Sequence, residues 1–229
     1  MKKITAYFSK FELALWIGSA SGILLAFLLF DGENYLSLIA ALIGVSSLTF
    51  YAKGNPIGHI IGIFFCLFYT FISYTFSYYG EMITYLFMSL PMAIIALISW
   101  RRNLYSGKKA EVTINSISKK DLVMMWIFTI LVTSLFYFVL KYFGTANLIP
   151  STLSVATSFA AVYLCSKRTP YYAVAYMAND IVLIVLWLLA SLESTRYISM
   201  LVCFIAFLFN DIYGFINWQR MKRTQALSD

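Results

Sequence analysis

Apolar residues along this chain come in long unbroken runs, not at alternate positions or in one stripe per helical turn. Eight can be delimited: Phe11–Phe30, Tyr35–Tyr51, Ile57–Tyr79, Met82–Trp100, Leu122–Leu140, Leu148–Cys165, Tyr171–Leu189 and Tyr197–Trp218. A helix needs about 20 mostly apolar residues to cross the hydrocarbon of a bilayer. The strands of a membrane barrel appear instead as alternating segments of about 10 residues. A backbone in lipid must also satisfy its own hydrogen bonds. The pattern therefore predicts an all-α integral membrane protein with eight transmembrane helices. The second run is the weakest, diluted by Ser46, Ser47, Thr49 and Tyr51. The first exceeds the core of a signal peptide, about 7–15 residues, and no small-residue cleavage pattern follows it, so it reads as a mature helix.

Composition agrees: 61% of residues are apolar and only 12% are charged, against about a quarter charged in a soluble domain. The net charge of +7 raises the question of nucleic acid. Its distribution answers it. With the N-terminus inside, Lys2, Lys3, Lys10, Lys53, Arg101, Arg102, Lys108, Lys109, Lys119, Lys120, Lys167, Arg168, Arg220, Lys222 and Arg223 all fall on one side, 15 of the 17 basic residues. Lys141 and Arg196 fall on the other, with Asp31, Glu33, Glu81 and Glu193. That bias is the positive-inside signature. It predicts both termini on the cytoplasmic side, with lipid and not nucleic acid around the protein. Cys66, Cys165 and Cys203 all lie within spans, an odd number at membrane depth, and read as small buried side chains.

The longest hydrophilic stretch, Arg101–Asp121, divides the chain into comparable parts. Each part has a short basic loop before Pro (Lys53-Gly54-Asn55-Pro56 and Lys167-Arg168-Thr169-Pro170). Each ends on Trp and basic residues (Ser99-Trp100-Arg101-Arg102 and Asn217-Trp218-Gln219-Arg220). Pro56 overlays Pro170 with a shift of 114 and Trp100 overlays Trp218 with a shift of 118. Four extra residues in the last outer loop absorb the difference. Spans 2–4 then correspond to spans 6–8 in parallel orientation, with span 5 as linker. The predicted layout is 1 + (3+1+3): an extra helix at 11–30, a first repeat at 35–100, a linker helix at 122–140, a second repeat at 148–218 and a cytoplasmic tail at 219–229.

Two identical dipeptides, Asn179-Asp180 and Asn210-Asp211, interrupt the seventh and eighth runs. A carboxylate at membrane depth costs about 2.5–3.5 kcal/mol on insertion scales and usually faces a bundle interior or a wet cavity. In the last run Asn210, Tyr213, Gly214 and Asn217 share one helical face, with Asp211 and Trp218 on the adjoining one. Such a stripe suits a cavity wall, the alternative being interhelical hydrogen bonding. Asp180 and Trp187, seven apart, suit an organic cation through charge and cation–π attraction; Trp187 alone would suit an interfacial anchor. Phe65-Cys66 stands where the first repeat would carry Asn-Asp, so the polar groups concentrate in the second half.

No Lys or Arg lies within a span, Lys141 at the end of the fifth excepted, so the polar groups at depth fit a neutral or cationic ligand better than a phosphate. Gly18–Gly22 and Gly58–Gly62 match GxxxG and read as close helix packing. The lone His59 has no partner at metal-ligand spacing, so no metal and no cofactor is expected. Pro91 predicts a kink in the fourth helix. No hydrolase, oxidoreductase or P-loop signature appears, and no catalytic residue is assigned.

Gly80-Glu-Met-Ile-Thr-Tyr85, Pro91 through Ser99-Trp100-Arg101-Arg102, Pro170-Tyr-Tyr, Ala178-Asn179-Asp180-Ile-Val-Leu-Ile-Val-Leu-Trp187 and Asn210-Asp-Ile-Tyr-Gly-Phe-Ile-Asn-Trp218 resemble the nicotinamide riboside transporter family, PnuC type, most closely its Gram-positive members. The resemblance runs from about Ile43 to Arg223. It implies a SWEET-like 3+1+3 fold, a homotrimer, and facilitated uptake of nicotinamide riboside for NAD synthesis without ATP hydrolysis. It also implies trapping of the riboside by a cytoplasmic kinase. The family's site residues, carried over by position, fall on Trp100, Asn179, Trp187, Asn210, Tyr213, Asn217 and Trp218; the carboxylates Asp180 and Asp211 are added on charge. Leu97 and Pro91–Ala96 depart from the family pattern, which has a further Trp and an Asn-x-Tyr-Gly element in that helix. Thiamine and deoxynucleosides, carried by similar proteins, remain alternative substrates.

Overall fold

The computed structural model describes residues 7–75, 79–106, 110–145 and 147–227. Lys2, Lys3, Tyr78, Lys108 and Lys109 lie outside them. Among the described residues are eight helices long and apolar enough to cross a membrane. They are α1 (Lys10–Asp31), α2 (Tyr35–Ala52), α3 (Ile57–Thr75), α4 (Tyr79–Arg102), α5 (Lys119–Tyr142), α6 (Leu148–Ser166), α7 (Tyr171–Glu193) and α8 (Ile198–Ala226). The eight-helix prediction therefore holds, with one change of detail. The last helix runs eight residues past Trp218, so most of the expected tail is helical. Its end is fixed by Gln225, which is buried although polar.

Local chemistry explains the boundaries. Ser9 and Glu12 form a reciprocal capping box at the start of α1, which satisfies two backbone donors at once. Gly32, at φ 66°, ends α1. The hydroxyls that dilute α2 turn back onto its own carbonyls: Ser46 to Leu42, Ser47 to Gly44 and Thr49 to Val45, at 2.7, 2.7 and 3.2 Å. Their hydroxyl hydrogens are thus satisfied within the helix. In α4 a π-helical turn, Tyr85–Ser89, lies just before Pro91. Proline lacks the N–H of a regular turn and its ring crowds the carbonyl four residues back; the wider π turn relieves that conflict.

Six helices close a ring in the order α2–α3–α4–α6–α7–α8, with α8 packed back on α2. Two helices stay outside it. α1 lies over the seam between α2 and α8, and α5 lies on α6 beside α4. The ends of the helices sort by charge. At one end, the basic end, Lys53 pairs with Glu12 at 3.1 Å and Lys167 with Asp121 at 2.6 Å. The bond from Asp121 holds the Lys167 ammonium above its ordinary range. At the opposite end Arg196 pairs with Glu33 at 3.0 Å, both exposed. The GxxxG pairs behave differently. Side chains added at Gly58 and Gly62 would press on Tyr51, whereas at Gly18 and Gly22 they would meet nothing within 4 Å. The α1 pair is not a packing seam within this chain.

Candidate functional site: a polar cavity inside the ring

The ring encloses a cavity of about 160 Å³, room for on the order of ten waters and so for a small organic molecule. Rings form part of its wall, from Tyr51, Phe65, Tyr69, Tyr85, Tyr176, Phe204 and Phe207, among small and aliphatic side chains. Polar groups enter at Ser47, His59, Ser89, Ser158, Asn179, Asp180 and Asp211. Among the described residues, no Lys or Arg lines it.

The two carboxyls define its chemistry. Asp180 and Asp211 are 3% and 4% exposed and both line the cavity. Two buried carboxylates on one cavity wall repel, so the pair is stable with a proton or with a cation beside it. Asp180 Oδ2 has no hydrogen-bond partner among the described residues, and neither has His59 Nδ1. Buried polar atoms left unpaired are uncommon and costly. Two on the wall of one cavity mark where a ligand would bond. Asn179 is oriented by Thr157 of α6, whose hydroxyl donates to its Oδ1 at 2.9 Å. Glycine sets the room available: a methyl at Gly62 would stand 2.6 Å from the Tyr51 hydroxyl, and one at Gly44 2.6 Å from the Phe207 ring.

At the basic end the cavity is sealed. Trp100 and Trp218 are completely buried, 5.2 Å apart between ring centroids. Trp100 Nε1 donates to the carbonyl of Cys165 at 2.8 Å, and Trp218 Nε1 to that of Tyr51, also at 2.8 Å. Beside them Ser99 Oγ donates to Ser166 O at 2.6 Å and Asn217 Nδ2 to Ala52 O at 2.8 Å. The donors are 118 positions apart and the acceptors 114, the two shifts read from the sequence. Each last helix of a three-helix group thus closes the carbonyl end of the other group's first helix. His59 packs edge-on against Trp100 and Tyr51, at 4.4 and 4.7 Å, and Tyr172 against Trp218 at 4.9 Å.

Of the nine residues proposed from sequence, Asn179, Asp180 and Asp211 line the cavity. Trp100 and Trp218 form the seal behind it. The stripe on α8 points elsewhere: Asn210 Nδ2 donates to Ser19 Oγ of α1 at 2.9 Å, Tyr213 Oη to Glu12 at 2.8 Å, and Asn217 to α2. The interhelical alternative describes these three side chains in this structure. A methyl added at Gly214 would meet Tyr172 and Ala52 at ordinary contact distance, 3.5 Å or more. Trp187 lies two turns from Asp180, about 10 Å along the helix, against the Tyr197 ring at 5.6 Å; it is not on the cavity wall. Sequence reasoning passed over Tyr51, His59, Tyr85 and Tyr176. Nothing in a run of apolar residues separates an aromatic facing a cavity from one facing lipid. Among the described residues no cluster of three metal-ligating side chains occurs.

The family model described as "Nicotinamide mononucleotide transporter" matches residues 34–220. The chain is similar to the nicotinamide riboside transporter PnuC of Neisseria mucosa, 25% identical over 217 residues, 93% of this chain and 82% of that one. It is similar as well to the protein of the same name from Haemophilus influenzae, 26% identical over 197 residues, 84% of this chain and 83% of that one. A crystal structure of the vitamin B3 transporter PnuC superposes with a TM-score of 0.79 at 23% identity, covering 95% of this chain and 94% of the other. That likeness extends to the fold.

Proposed function

From the premise that this chain belongs to the nicotinamide mononucleotide transporter family, whose curated relatives are named as transporters and not enzymes, we propose that it takes up nicotinamide riboside. The observation that carries the choice of ligand is the Asp180–Asp211 pair, with Asp180 Oδ2 unpartnered, in a partly aromatic cavity whose described lining has no Lys or Arg. A riboside of nicotinamide is a pyridinium cation with hydroxyls and a carboxamide. The carboxyls offer it a counter-charge, the tyrosines offer π faces, and Asn179, His59 and the cavity serines offer hydrogen bonds. A mononucleotide adds a phosphate dianion, for which this cavity has no guanidinium or ammonium.

In this reading α2–α4 and α6–α8 are parallel repeats that rock about the cavity. Transport needs no ATP and no ion gradient, and a cytoplasmic kinase keeps the riboside inside. The chain sits in the cytoplasmic membrane with its basic end inside, in keeping with the positive-inside rule, and assembles as a homotrimer. Helix α5, which presents Trp126, Ile130, Leu131, Leu135 and Phe138 outward, is available for lipid or subunit contact.

The deciding experiment is uptake of labelled nicotinamide riboside into proteoliposomes without an imposed gradient, with unlabelled thiamine, deoxynucleosides and nicotinamide mononucleotide as competitors. Saturable entry that stops at equal concentrations and resists all three competitors supports the proposal. Entry of thiamine or of a deoxynucleoside in place of the riboside replaces the substrate.

A further inference from the structure

Residues 110–117, which lead into α5, do not loop into solvent but cross the basic end of the ring. Their backbone is tied on both sides. Val112 N–H donates to Gly54 O at 2.9 Å, and Asn115 N–H donates to Arg168 O at 2.8 Å. Gly54 and Arg168 are 114 positions apart, and both are left-handed, at φ 62° and 58°. They end the first helices, α2 and α6, of the two three-helix groups. One short extended segment, about 10 Å from 112 to 115, thus holds equivalent points on both sides of the mouth. The Val112 side chain is completely buried, in one cluster with Trp100 and Trp218. A bridge to Leu104 and the bonds Tyr105 N to Glu111 O and Thr113 N to Asn103 O, each 2.8 Å, brace the strap from α4.

Gln225, in the last turn of α8, fastens it. Its Oε1 accepts from Ile114 N–H at 2.8 Å, and its Nε2 donates to Val112 O at 3.0 Å and to Glu111 Oε1 at 2.9 Å. It is 5% exposed, at a level of the helix beyond the apolar run. A side-chain amide that matches a backbone donor and acceptor in this way acts as one more strand partner for the segment. At the opposite end, the exposed pair Glu33–Arg196 joins the α1–α2 loop to the α7–α8 turn, a tie of little strength.

We propose that the strap 111–115 with Gln225 is the latch of the basic mouth, and that Gln225 is a positioning residue for transport. The seals at Trp100 and Trp218 part, and the cavity opens to that end, only after the strap has left Gly54 or Arg168. The inference rests on the transporter reading, but its test does not depend on the substrate.

With Cys165 and Cys203 replaced by Ala, Cys66 is a probe inside the cavity, whose wall it lines. Its modification by a charged thiol reagent is timed from each face of membrane vesicles. Gln225→Ala should speed modification from the basic face about tenfold or more, the population change expected from losing a net hydrogen bond or two in the closed state, and leave the opposite face unchanged or slower. In a background also free of Cys66, Ile114→Cys with Gln225→Cys should form a cross-link under oxidant. Transport should fall to background and return on reduction. An unchanged rate at Cys66 from the basic face, or full transport with the cross-link complete, overturns the latch. No transport of any tested substrate by the unsubstituted chain would count against the transporter reading, and the Cys66 rates would still decide the latch.

Discussion

Trp100 and Trp218 touch at 5.2 Å, and each donates its indole N–H across the ring to the helix end of the opposite group. The two carbonyls they cap, on Cys165 and Tyr51, belong to the last turns of α6 and α2, where an α-helix runs short of donors for its acceptors. Each carbonyl also accepts a backbone N–H, from Arg168 and Gly54, both at 2.9 Å. A pair of buried rings so placed fills the end of the cavity and gives both indole N–H groups a partner. Trp100→Phe or Trp218→Phe keeps most of the ring and removes one hydrogen bond without leaving the carbonyl unpaired. Each should cost about 0.5–1.5 kcal/mol and lower the midpoint of thermal unfolding in detergent. Because the indoles are in contact, the double variant should lose less than the sum of the singles, which a double-mutant cycle measures.

Charge at the cavity is tested by amides of the same shape. Asp180→Asn and Asp211→Asn should each weaken binding of a cationic ligand by about tenfold or more, since a hydrogen bond to a charged partner contributes about 1.5–3 kcal/mol. Folding should survive, because each change removes like-charge repulsion between Asp180 and Asp211. Titration calorimetry in detergent with the riboside, and with a neutral nucleoside as control, separates charge recognition from general damage. Equal loss for both ligands would count against a cation site.

Glu12 predicts a different phenotype. It bonds Lys53 at the end of α2 and Tyr213 of α8, so a single buried carboxylate fastens α1 to both sides of the α2–α8 seam. Glu12→Ala removes these bonds and should destabilise the protein by about 1.5–3 kcal/mol, the usual contribution of hydrogen bonds to a charged group. Asn210→Ala, at the Ser19 contact of the same seam, should cost about 1 kcal/mol or less. It should leave ligand affinity within about twofold, since Asn210 is not on the cavity wall. A large affinity loss in Asn210→Ala at normal stability would return that side chain to the binding site.

Gly62→Ala tests the shape of the cavity. The new methyl would stand 2.6 Å from the Tyr51 hydroxyl, so the Tyr51 ring or α3 must shift, at about 1–3 kcal/mol for an overpacked site. Uptake should fall while protein remains in the membrane. Phe207 stands at the same 2.6 Å from a methyl at Gly44, and Gly44→Ala should behave alike, with Phe207→Leu relieving it.

The chain's apolar runs determined the eight helices without help from the fold, because the bilayer sets a minimum length and each helix satisfies its own backbone. The sorting of basic residues to one end was legible for a similar reason: charge near a span is read locally. So was the depth of Asp180 and Asp211, since a carboxylate in an apolar run must find company. The spacing of Pro56, Pro170, Trp100 and Trp218 anticipated the offsets of 114 and 118 that recur in the crossed hydrogen bonds. What each polar face met was decided only by tertiary structure. Helical periodicity puts Asn210, Tyr213 and Asn217 on one face and Asp211 on the next. It does not say that α1 and the end of α2 cover the first face while the cavity lies behind the second. The same holds for Tyr51 and His59, whose surroundings come from helices far away in sequence, and for the strap at 111–115, which reads as an ordinary polar linker until Gly54, Arg168 and Gln225 converge on it. Periodicity is a property of one helix, whereas a site or a seal depends on which helices are neighbours, and that order is settled by the packing of the whole ring.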